Sequence, residues 1–217
     1  MTKDLLNKIK ELYYYSWLSV FAQWFSNIFF VNFYYHVIKK TKIEQVGGTL
    51  DPKQNYIFVS NHRSYEDPPL IGHSVRYPVA FIAKKELFDN PMLNFFMTLT
   101  STISVDRANA ESQTFKAAKK ALKSFGVFKA WGIGVFIEGT RSTDPKMLSK
   151  PNKGPMFLAR LCRVPLVPIG ITYKSDREIV VKIGEPYEID YNGDLMDQAW
   201  DCLEKISKLC DYKMPTR

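Results

Sequence analysis

Hydrophobic and polar positions divide the chain into two parts near residue 40. No Asp, Glu, Lys or Arg occurs from residue 12 to residue 38. After residue 41, short β-branched and aromatic runs alternate with segments of helical periodicity, and this alternation is typical of an α/β layer structure. The pattern predicts an N-terminal helical region over residues 1–40 and an α/β domain over residues 41–217.

The runs after residue 41 predict individual strands and helices. Strands are expected at residues 56–60, 79–83, 102–105, 134–138, 165–172 and 178–183. Helices are expected at residues 92–99, 112–129, 154–162 and 195–210. Asn90-Pro91 has the form of an N-cap followed by proline at the first helical position, which supports the first of these helices.

The N-terminal region has the pattern of a helix that lies in a membrane interface. Aromatic residues oppose a stripe of polar residues at helical spacing, and the stripe consists of Ser16, Ser19, Gln23, Ser26 and Asn27. The pattern changes phase near residues 27 to 32, which predicts two helices, and the basic pair Lys39-Lys40 ends the region. We therefore expect a membrane-anchoring helical hairpin that lies on the bilayer rather than spanning it. The alternative is a helix pair buried on the domain.

Charge and cysteine content narrow the function classes only slightly. A net charge of +8 indicates an anionic partner, and nucleic acid, an anionic leaflet or a phosphorylated substrate would each satisfy it. Because no recognisable nucleic-acid module accompanies the charge, nucleic-acid binding is not predicted. Cys162, Cys202 and Cys210 have neither metal nor redox spacing, so they are expected to be reduced thiols.

Candidate chemistry lies directly after the strand predicted at residues 56–60, in the stretch Asn61-His62-Arg63-Ser64-Tyr65-Glu66-Asp67. His62 and Asp67 cannot share a helix face, because a step of five residues rotates them about 140° apart. In a turn, however, the carboxylate can accept from the imidazole Nδ1–H and leave Nε2 to take a proton, as a general base does. A histidine that caps a turn or lies on the surface is the alternative interpretation.

A second stretch, Phe136-Ile137-Glu138-Gly139-Thr140-Arg141-Ser142, makes the pattern specific. Together the two stretches resemble the glycerolipid acyltransferase family, whose motifs are Asn-His-(four residues)-Asp and Phe-Pro-Glu-Gly-Thr-Arg-Ser. The second differs from the family pattern at Ile137, where the family has proline. Two further motifs of the family are matched at residues 103–107, where the match is looser, and at residues 164–169. The resemblance implies an α/β fold with a mixed central sheet flanked by helices, and it implies neither a cofactor nor a metal.

The resemblance also implies a role for each site residue. His62 would be the base, and Asp67 would fix the imidazole tautomer and stabilise the imidazolium. A planar guanidinium suits a phosphate, so Arg141 would bind the phosphate of the acceptor. The full set expected to bind the acceptor's phosphate or glycerol is Glu138, Gly139, Thr140, Arg141, Arg107 and Lys84. The alternative is that Glu138 and Arg141 cap the end of a strand.

The implied reaction is acyl transfer from a thioester to the free sn-2 hydroxyl of lysophosphatidic acid, which gives phosphatidic acid in phospholipid biosynthesis. The donor would be acyl-coenzyme A or acyl-acyl carrier protein. A basic helix face is either solvated or docks such a donor, and it consists of Lys116, Lys119, Lys120 and Lys123. Alternatives are glycerol 3-phosphate or another lysolipid as acceptor and, from a different class, a non-catalytic peripheral protein that binds anionic lipid. The expected location is the cytoplasmic face of the inner membrane.

Overall fold

A seven-stranded sheet forms the centre of the molecule. The computed structural model describes residues 17–38, 42–47, 50–105, 110–123 and 131–217. Its strands are β1 (Lys42–Gly47), β2 (Tyr56–Ser60), β3 (Val79–Lys84), β4 (Ile103–Val105), β5 (Gly132–Phe136), β6 (Leu166–Ser175) and β7 (Glu178–Ile183). Their order is β1-β7-β6-β2-β5-β3-β4. β6 and β7 are antiparallel and the other neighbours are parallel, so the predicted mixed sheet is confirmed.

Helices cover both faces of the sheet. They are α1 (Trp17–Ser26), a π-helical segment (Asn27–Ile38), α2 (Asp67–Val75), a 3₁₀ turn (Lys85–Asp89), α3 (Pro91–Leu99), α4 (Ala110–Lys123), α5 (Gly154–Cys162) and α6 (Leu195–Leu209). Alternate residues of a strand point to opposite faces, and β2 accordingly divides its side chains between two apolar clusters. Ile57 packs in the cluster that includes α4, α5 and α6, whereas Phe58 packs in the cluster with α2 and the π segment.

Most predicted elements are confirmed, but β1 and α2 were not among the predicted elements, and β5 is displaced. β1 was not predicted, because its sequence Lys-Ile-Glu-Gln-Val-Gly offers little apolar content for a strand at the edge of the sheet. β5 begins and ends two residues earlier than predicted, at Gly132 and Phe136. A Cβ on Gly132 would lie 2.2 Å from the ring of Phe58, so the ring leaves no room for any side chain at this position. Glu138 consequently lies in the turn after β5 and not in the strand.

The N-terminal residues that the structure describes form one helical segment. α1 runs directly into the π segment, so the predicted break near residues 27 to 32 is a change of helix type and not a turn. Residues 1–16 and 39–41, where the remainder of a hairpin and Lys39-Lys40 would lie, are outside the described residues. None of the helices in the described ranges is long and apolar enough to cross a membrane.

The described polar residues of the α1 stripe face the protein, and the described phenylalanines of α1 face outward. Ser19 and Gln23 are buried. Gln23 Nε2 donates to the Thr100 carbonyl at 2.8 Å, and Gln23 Oε1 accepts from the Val79 N–H at 3.0 Å. On the outer side, four exposed phenylalanines stack in series with ring centroids 6.5, 5.5 and 6.0 Å apart. We call this surface the aromatic face, and it consists of Phe21, Phe25, Phe29 and Phe33.

Candidate functional site

The predicted site residues follow strands that end at one edge of the sheet. β2, β5 and β3 are parallel neighbours, so their carboxyl ends lie on the same side. His62 follows β2, Glu138 and Arg141 follow β5, and Lys84 ends β3. Arg107 comes after the end of β4 and lies outside the described residues. Ligands of open α/β sheets bind at this edge, so the topology places the two motif stretches where a site is expected.

His62 and Asp67 form a hydrogen-bonded dyad. The distance from His62 Nδ1 to Asp67 Oδ2 is 2.8 Å, and the carboxylate is fully buried. Because a carboxylate is acceptor-only, the neutral imidazole carries its proton on Nδ1 and leaves Nε2 as an acceptor. The imidazole also stacks on the ring of Phe136, with centroids 3.8 Å apart and planes 10° apart. Two contacts therefore fix the orientation of the ring.

The turn between β2 and α2 curls around the Asp67 carboxylate. Asp67 opens α2, and Pro68 and Pro69 follow in its first turn, where proline removes no helical hydrogen bond. Asp67 Oδ2 also accepts from the N–H groups of Arg63 at 2.6 Å and Ser64 at 2.8 Å. The carboxylate thus shapes the backbone that carries His62 as well as orienting its ring.

Tyr173 of β6 completes the surroundings of Asp67, and the sequence did not predict it. Its hydroxyl donates to Asp67 Oδ1 at 2.6 Å. Burial, together with the negative charge of Asp67, raises the pKa of Tyr173, so the phenol stays protonated and acts as a donor at neutral pH. The two residues are 106 positions apart, and no local pattern in the sequence connects them.

Asn61, the first residue of the motif, has a structural role. It is fully buried, and its side chain pairs with the backbone of Ile171 in β6. Nδ2 donates to the Ile171 carbonyl at 2.9 Å, and Oδ1 accepts from the Ile171 N–H at 2.8 Å. This pair continues the β2–β6 ladder beyond the last residue of β2 and fixes the point from which the catalytic turn departs.

Glu138 joins the turn of His62 to the loop after β5. Its side chain is buried, Oε1 accepts from the His62 N–H at 2.8 Å, and Oε2 accepts from the Ser149 N–H at 2.6 Å. Both oxygens are therefore engaged by backbone donors, which resembles the capping alternative more than contact with a glycerol hydroxyl. The Ser142 N–H also donates to the His62 carbonyl at 2.9 Å, so the two loops run side by side.

Arg63 ties the same two loops to the C-terminal part of the chain. Its guanidinium lies 3.7 Å from the ring centroid of Tyr212. It donates to the Met147 carbonyl at 2.6 Å and to the Asp144 carbonyl. Arg63 was not a predicted site residue, and these contacts make it a brace for the loop that follows Arg141.

The remaining acceptor-binding candidates are exposed at the mouth of the site. Arg141 lies 3.7 Å above the ring centroid of Tyr65, and its Nη2 donates to the Tyr65 hydroxyl at 2.9 Å. Gly139 has φ +68°, which favours glycine, and a Cβ there would have one neighbour within 4 Å, Asn152 Nδ2 at 3.9 Å. Thr140 and Lys84 are exposed. The loop after β5 thus offers the exposed guanidinium of Arg141 and the sterically unobstructed backbone of Gly139 next to the turn of the dyad.

The cysteines have the properties of inert thiols. Burial raises the pKa of Cys202 to about 12 and also raises the pKa of Cys162 and Cys210. Since the thiolate is the nucleophilic form, these three side chains are poor nucleophiles at neutral pH. Within the described ranges, no three of His, Cys, Asp and Glu are grouped so that they could hold a metal ion.

Comparison with known proteins identifies the family. A family model described as Acyltransferase matches residues 36–172. The chain is 30% identical over 158 residues to 1-acyl-sn-glycerol-3-phosphate acyltransferase of Saccharomyces cerevisiae, covering 71% of this chain and 50% of the yeast protein. It is 26% identical over 137 residues to the protein of the same name from Bacillus subtilis, covering 63% of this chain and 65% of that protein.

A solved structure shows the same architecture. The crystal structure of the 1-acyl-sn-glycerophosphate (LPA) acyltransferase PlsC from Thermotoga maritima superimposes with a TM-score of 0.59 and 27% identity, covering 78% of this chain and 70% of that chain. The chain spans about half the length of the yeast relative. The family model covers more than half of the chain and includes His62, Asp67, Glu138 and Arg141. The chain therefore belongs to the acyltransferase family.

Proposed function

We propose that this protein transfers a fatty acyl group from a thioester to the free sn-2 hydroxyl of lysophosphatidic acid and thereby forms phosphatidic acid. The observation that carries the proposal is the 2.8 Å contact between His62 Nδ1 and Asp67 Oδ2, which leaves Nε2 as a base at the carboxyl edge of the sheet. The choice of acceptor is supported by the name 1-acyl-sn-glycerol-3-phosphate acyltransferase that yeast and Bacillus relatives bear.

The reaction requires a base because a hydroxyl is a poor nucleophile at neutral pH. His62 Nε2 takes the proton of the acceptor hydroxyl as its oxygen attacks the thioester carbonyl carbon. The tetrahedral intermediate then expels the thiolate, and the imidazolium returns the proton to the sulfur. Asp67 stabilises the imidazolium throughout, as the acid does in a Ser-His-Asp triad. No side chain of the protein becomes acylated in this sequence.

The acceptor's phosphate is assigned to the loop after β5. Arg141 offers a permanently charged fork that can donate two hydrogen bonds to phosphate oxygens. Gly139 opens the backbone beside it, and the exposed Thr140 hydroxyl can add a donor. Lys84 ends β3 and would bring further positive charge to the same edge, and we propose the same role for Arg107, which comes two residues after the end of β4 in the sequence.

Membrane attachment is part of the proposal. The aromatic face offers four exposed rings to lipid, and α3 adds exposed apolar side chains, namely Met92, Leu93, Phe95 and Phe96. The π segment, which carries Phe29 and Phe33 of the aromatic face, also carries Tyr35, which is buried and hydrogen-bonds to the Glu66 carboxylate next to Asp67. An interfacial protein on the cytoplasmic face of the membrane would therefore present the dyad close to its lipid substrate.

The donor is a fatty acyl thioester of coenzyme A or of acyl carrier protein. Lys116, Lys119 and Lys120 are exposed on α4, which agrees with either a solvated face or a docking surface for an acidic carrier. The activity assay described next therefore offers acyl-coenzyme A and acyl-acyl carrier protein separately.

The test is acyl transfer by purified protein in mixed micelles. Long-chain acyl-coenzyme A and acyl-acyl carrier protein are each offered with lysophosphatidic acid or with glycerol 3-phosphate. We expect phosphatidic acid from the wild-type protein and from His73→Ala, a histidine of α2 outside the dyad, but not from His62→Ala. Product from glycerol 3-phosphate alone would keep the mechanism and change the acceptor. No product in any arm, with folded protein bound to vesicles, would overturn the proposal in favour of a non-catalytic lipid-binding protein.

A further inference from the structure

We infer that Tyr173 is a positioning residue for the reaction: its hydroxyl sets the rotation and the effective charge of Asp67, and through Asp67 the basicity of His62. This inference rests on the proposed function, because it assigns a role within the same site. Tyr173 touches neither His62 nor the position of a reacting atom in the mechanism above, so it acts through its neighbour.

The contacts of Asp67 separate its two oxygens by role. Oδ2 receives three donors, His62 Nδ1 at 2.8 Å and the N–H groups of Arg63 and Ser64 at 2.6 and 2.8 Å. Oδ1 receives the Tyr173 hydroxyl at 2.6 Å. Rotation of the carboxylate about its Cβ–Cγ bond would carry Oδ2 away from the imidazole, and the bond to Tyr173 opposes that rotation.

The position of Tyr173 beside Asp67 is fixed by contacts of its own backbone. Its backbone N–H donates to the Tyr212 hydroxyl at 3.2 Å, and the residue lies in β6, where it pairs with Ile179 of β7. The Tyr212 ring in turn lies under the guanidinium of Arg63. The hydroxyl of Tyr173 is thus delivered from a central strand and not from a loop.

The charge effect has a definite sign. A hydrogen bond donated to Oδ1 withdraws charge from the Asp67 carboxylate and weakens its stabilisation of the imidazolium. Replacing Tyr173 by phenylalanine returns that charge, so His62 holds its proton up to a higher pH. The acid limb of the kcat/KM profile, which reports the base in the free enzyme, should therefore move to higher pH.

The other ionisable groups around the dyad are held by residues other than Tyr173. Glu66 precedes Asp67 and is hydrogen-bonded by Tyr35 from the π segment. Glu138 contacts the His62 N–H from the loop after β5, and Arg63 points its guanidinium at Tyr212. These groups set a constant electrostatic background in which the effect of one hydroxyl can be measured.

The experiment compares Tyr173→Phe with wild type and with Tyr77→Phe. Tyr77 is a buried tyrosine that donates to the Gln54 carbonyl and packs on Tyr56, at the opposite end of β2, so its variant loses a comparable bond away from the site. We expect Tyr173→Phe to move the acid limb upward by about half a pH unit and to lower plateau kcat by about tenfold, as loss of an outer hydrogen-bond partner does. Identical profiles for both variants would overturn the inference.

A double-mutant cycle tests whether Tyr173 acts through Asp67. In an Asp67→Asn background the same substitution should change kcat by less than about twofold, because the carboxylate on which Tyr173 acts is gone. An undiminished effect in that background would show that Tyr173 acts elsewhere.

A readout that needs no turnover separates this inference from the proposed function. In NMR spectra of the folded protein, the His62 ring signals should titrate at higher pH in Tyr173→Phe than in wild type or Tyr77→Phe. That displacement would support the Tyr173–Asp67–His62 linkage even if no acyl acceptor were found. Absence of the displacement would overturn the linkage even in an active enzyme.

Discussion

Asp67 and Glu138, the two acidic residues of the motifs, both accept hydrogen bonds from the backbone in addition to any part they play in the reaction. Asp67 accepts two main-chain N–H groups besides the imidazole, and Glu138 accepts two main-chain N–H groups. A carboxylate with several such donors is a strong acceptor that fixes the loops it bridges. Substitutions at the two positions should therefore differ in their effects, because only Asp67 also contacts the imidazole.

Asp67→Asn should keep the fold and lose the activity. An amide is isosteric but uncharged, so it cannot stabilise an imidazolium, and its single oxygen replaces only one of the two carboxylate oxygens. Where its NH₂ group faces His62 it favours the wrong tautomer. We expect kcat to fall at least about 100-fold. Activity assays combined with circular dichroism check this, and turnover equal to wild type with an unchanged spectrum would exclude the dyad mechanism.

Glu138→Gln should destabilise the protein and not merely weaken substrate binding. One oxygen of the carboxylate is replaced by an NH₂ group that faces a backbone N–H, so one buried donor loses its acceptor. The expected loss is about 1–3 kcal/mol of the free energy of unfolding, measured by urea denaturation. Glu188→Gln, at an exposed position, serves as the control. A raised acceptor KM with unchanged stability would instead support contact with the glycerol hydroxyl.

The residues near the dyad show which contacts a motif can predict. His62 and Asp67 lie within one turn, and Arg141 lies in a contiguous stretch, so their spacing and residue types were informative. Tyr173, Tyr65 as the partner of Arg141, and Ser149 were not predicted, because their contacts with the site exist only once distant segments are folded together.

Among the elements, α1 turns the polar residues Ser19 and Gln23 toward the protein and the apolar residues Phe21 and Phe25 toward the outside. The sequence showed the two stripes, but not which of them faces the domain. That choice follows from Gln23, whose amide pairs with the Val79 N–H of β3 and with the Thr100 carbonyl at the end of α3. β1 was likewise beyond prediction, since a short edge strand is specified by its neighbour β7 more than by its own residues.

Removing the Gln23 amide should loosen this segment. Gln23→Ala leaves the Val79 N–H and the Thr100 carbonyl without their buried partner, which costs about 1–3 kcal/mol. We expect a lower midpoint of urea unfolding than for Gln54→Ala, a glutamine at an exposed position. Equal midpoints would show that the amide contributes nothing to docking of the helix.

The aromatic face should govern vesicle binding independently of folding. Phe25→Ser and Phe29→Ser each remove an exposed ring, so stability should change little, whereas affinity for lipid vesicles should fall about tenfold for each ring. Leu161→Ser, at an exposed apolar position of α5, is the matched control. Vesicle sedimentation measures the effect. The face would be excluded as the lipid contact if both serine variants bound like the control.

At the scale of the whole molecule, charge and apolar surface make separable contributions to membrane binding. A net charge of +8 attracts anionic lipid through water, and the aromatic face acts by burial. Raising NaCl from about 0.1 M to about 1 M shortens the Debye length from about 10 Å to about 3 Å and removes most of the first contribution. Affinity for anionic vesicles should then fall to the value seen on zwitterionic vesicles and stop there.

The residual affinity decides which contribution orients the catalytic domain. If the aromatic face supplies it, Phe25→Ser should lower binding by the same factor at both salt concentrations, because apolar burial is insensitive to screening. Complete release of wild type at about 1 M NaCl would mean that charge alone holds the protein to lipid. In that case the aromatic face would bind a partner other than lipid. Electrostatic attraction alone would then bring the His62–Asp67 dyad to the membrane that contains lysophosphatidic acid.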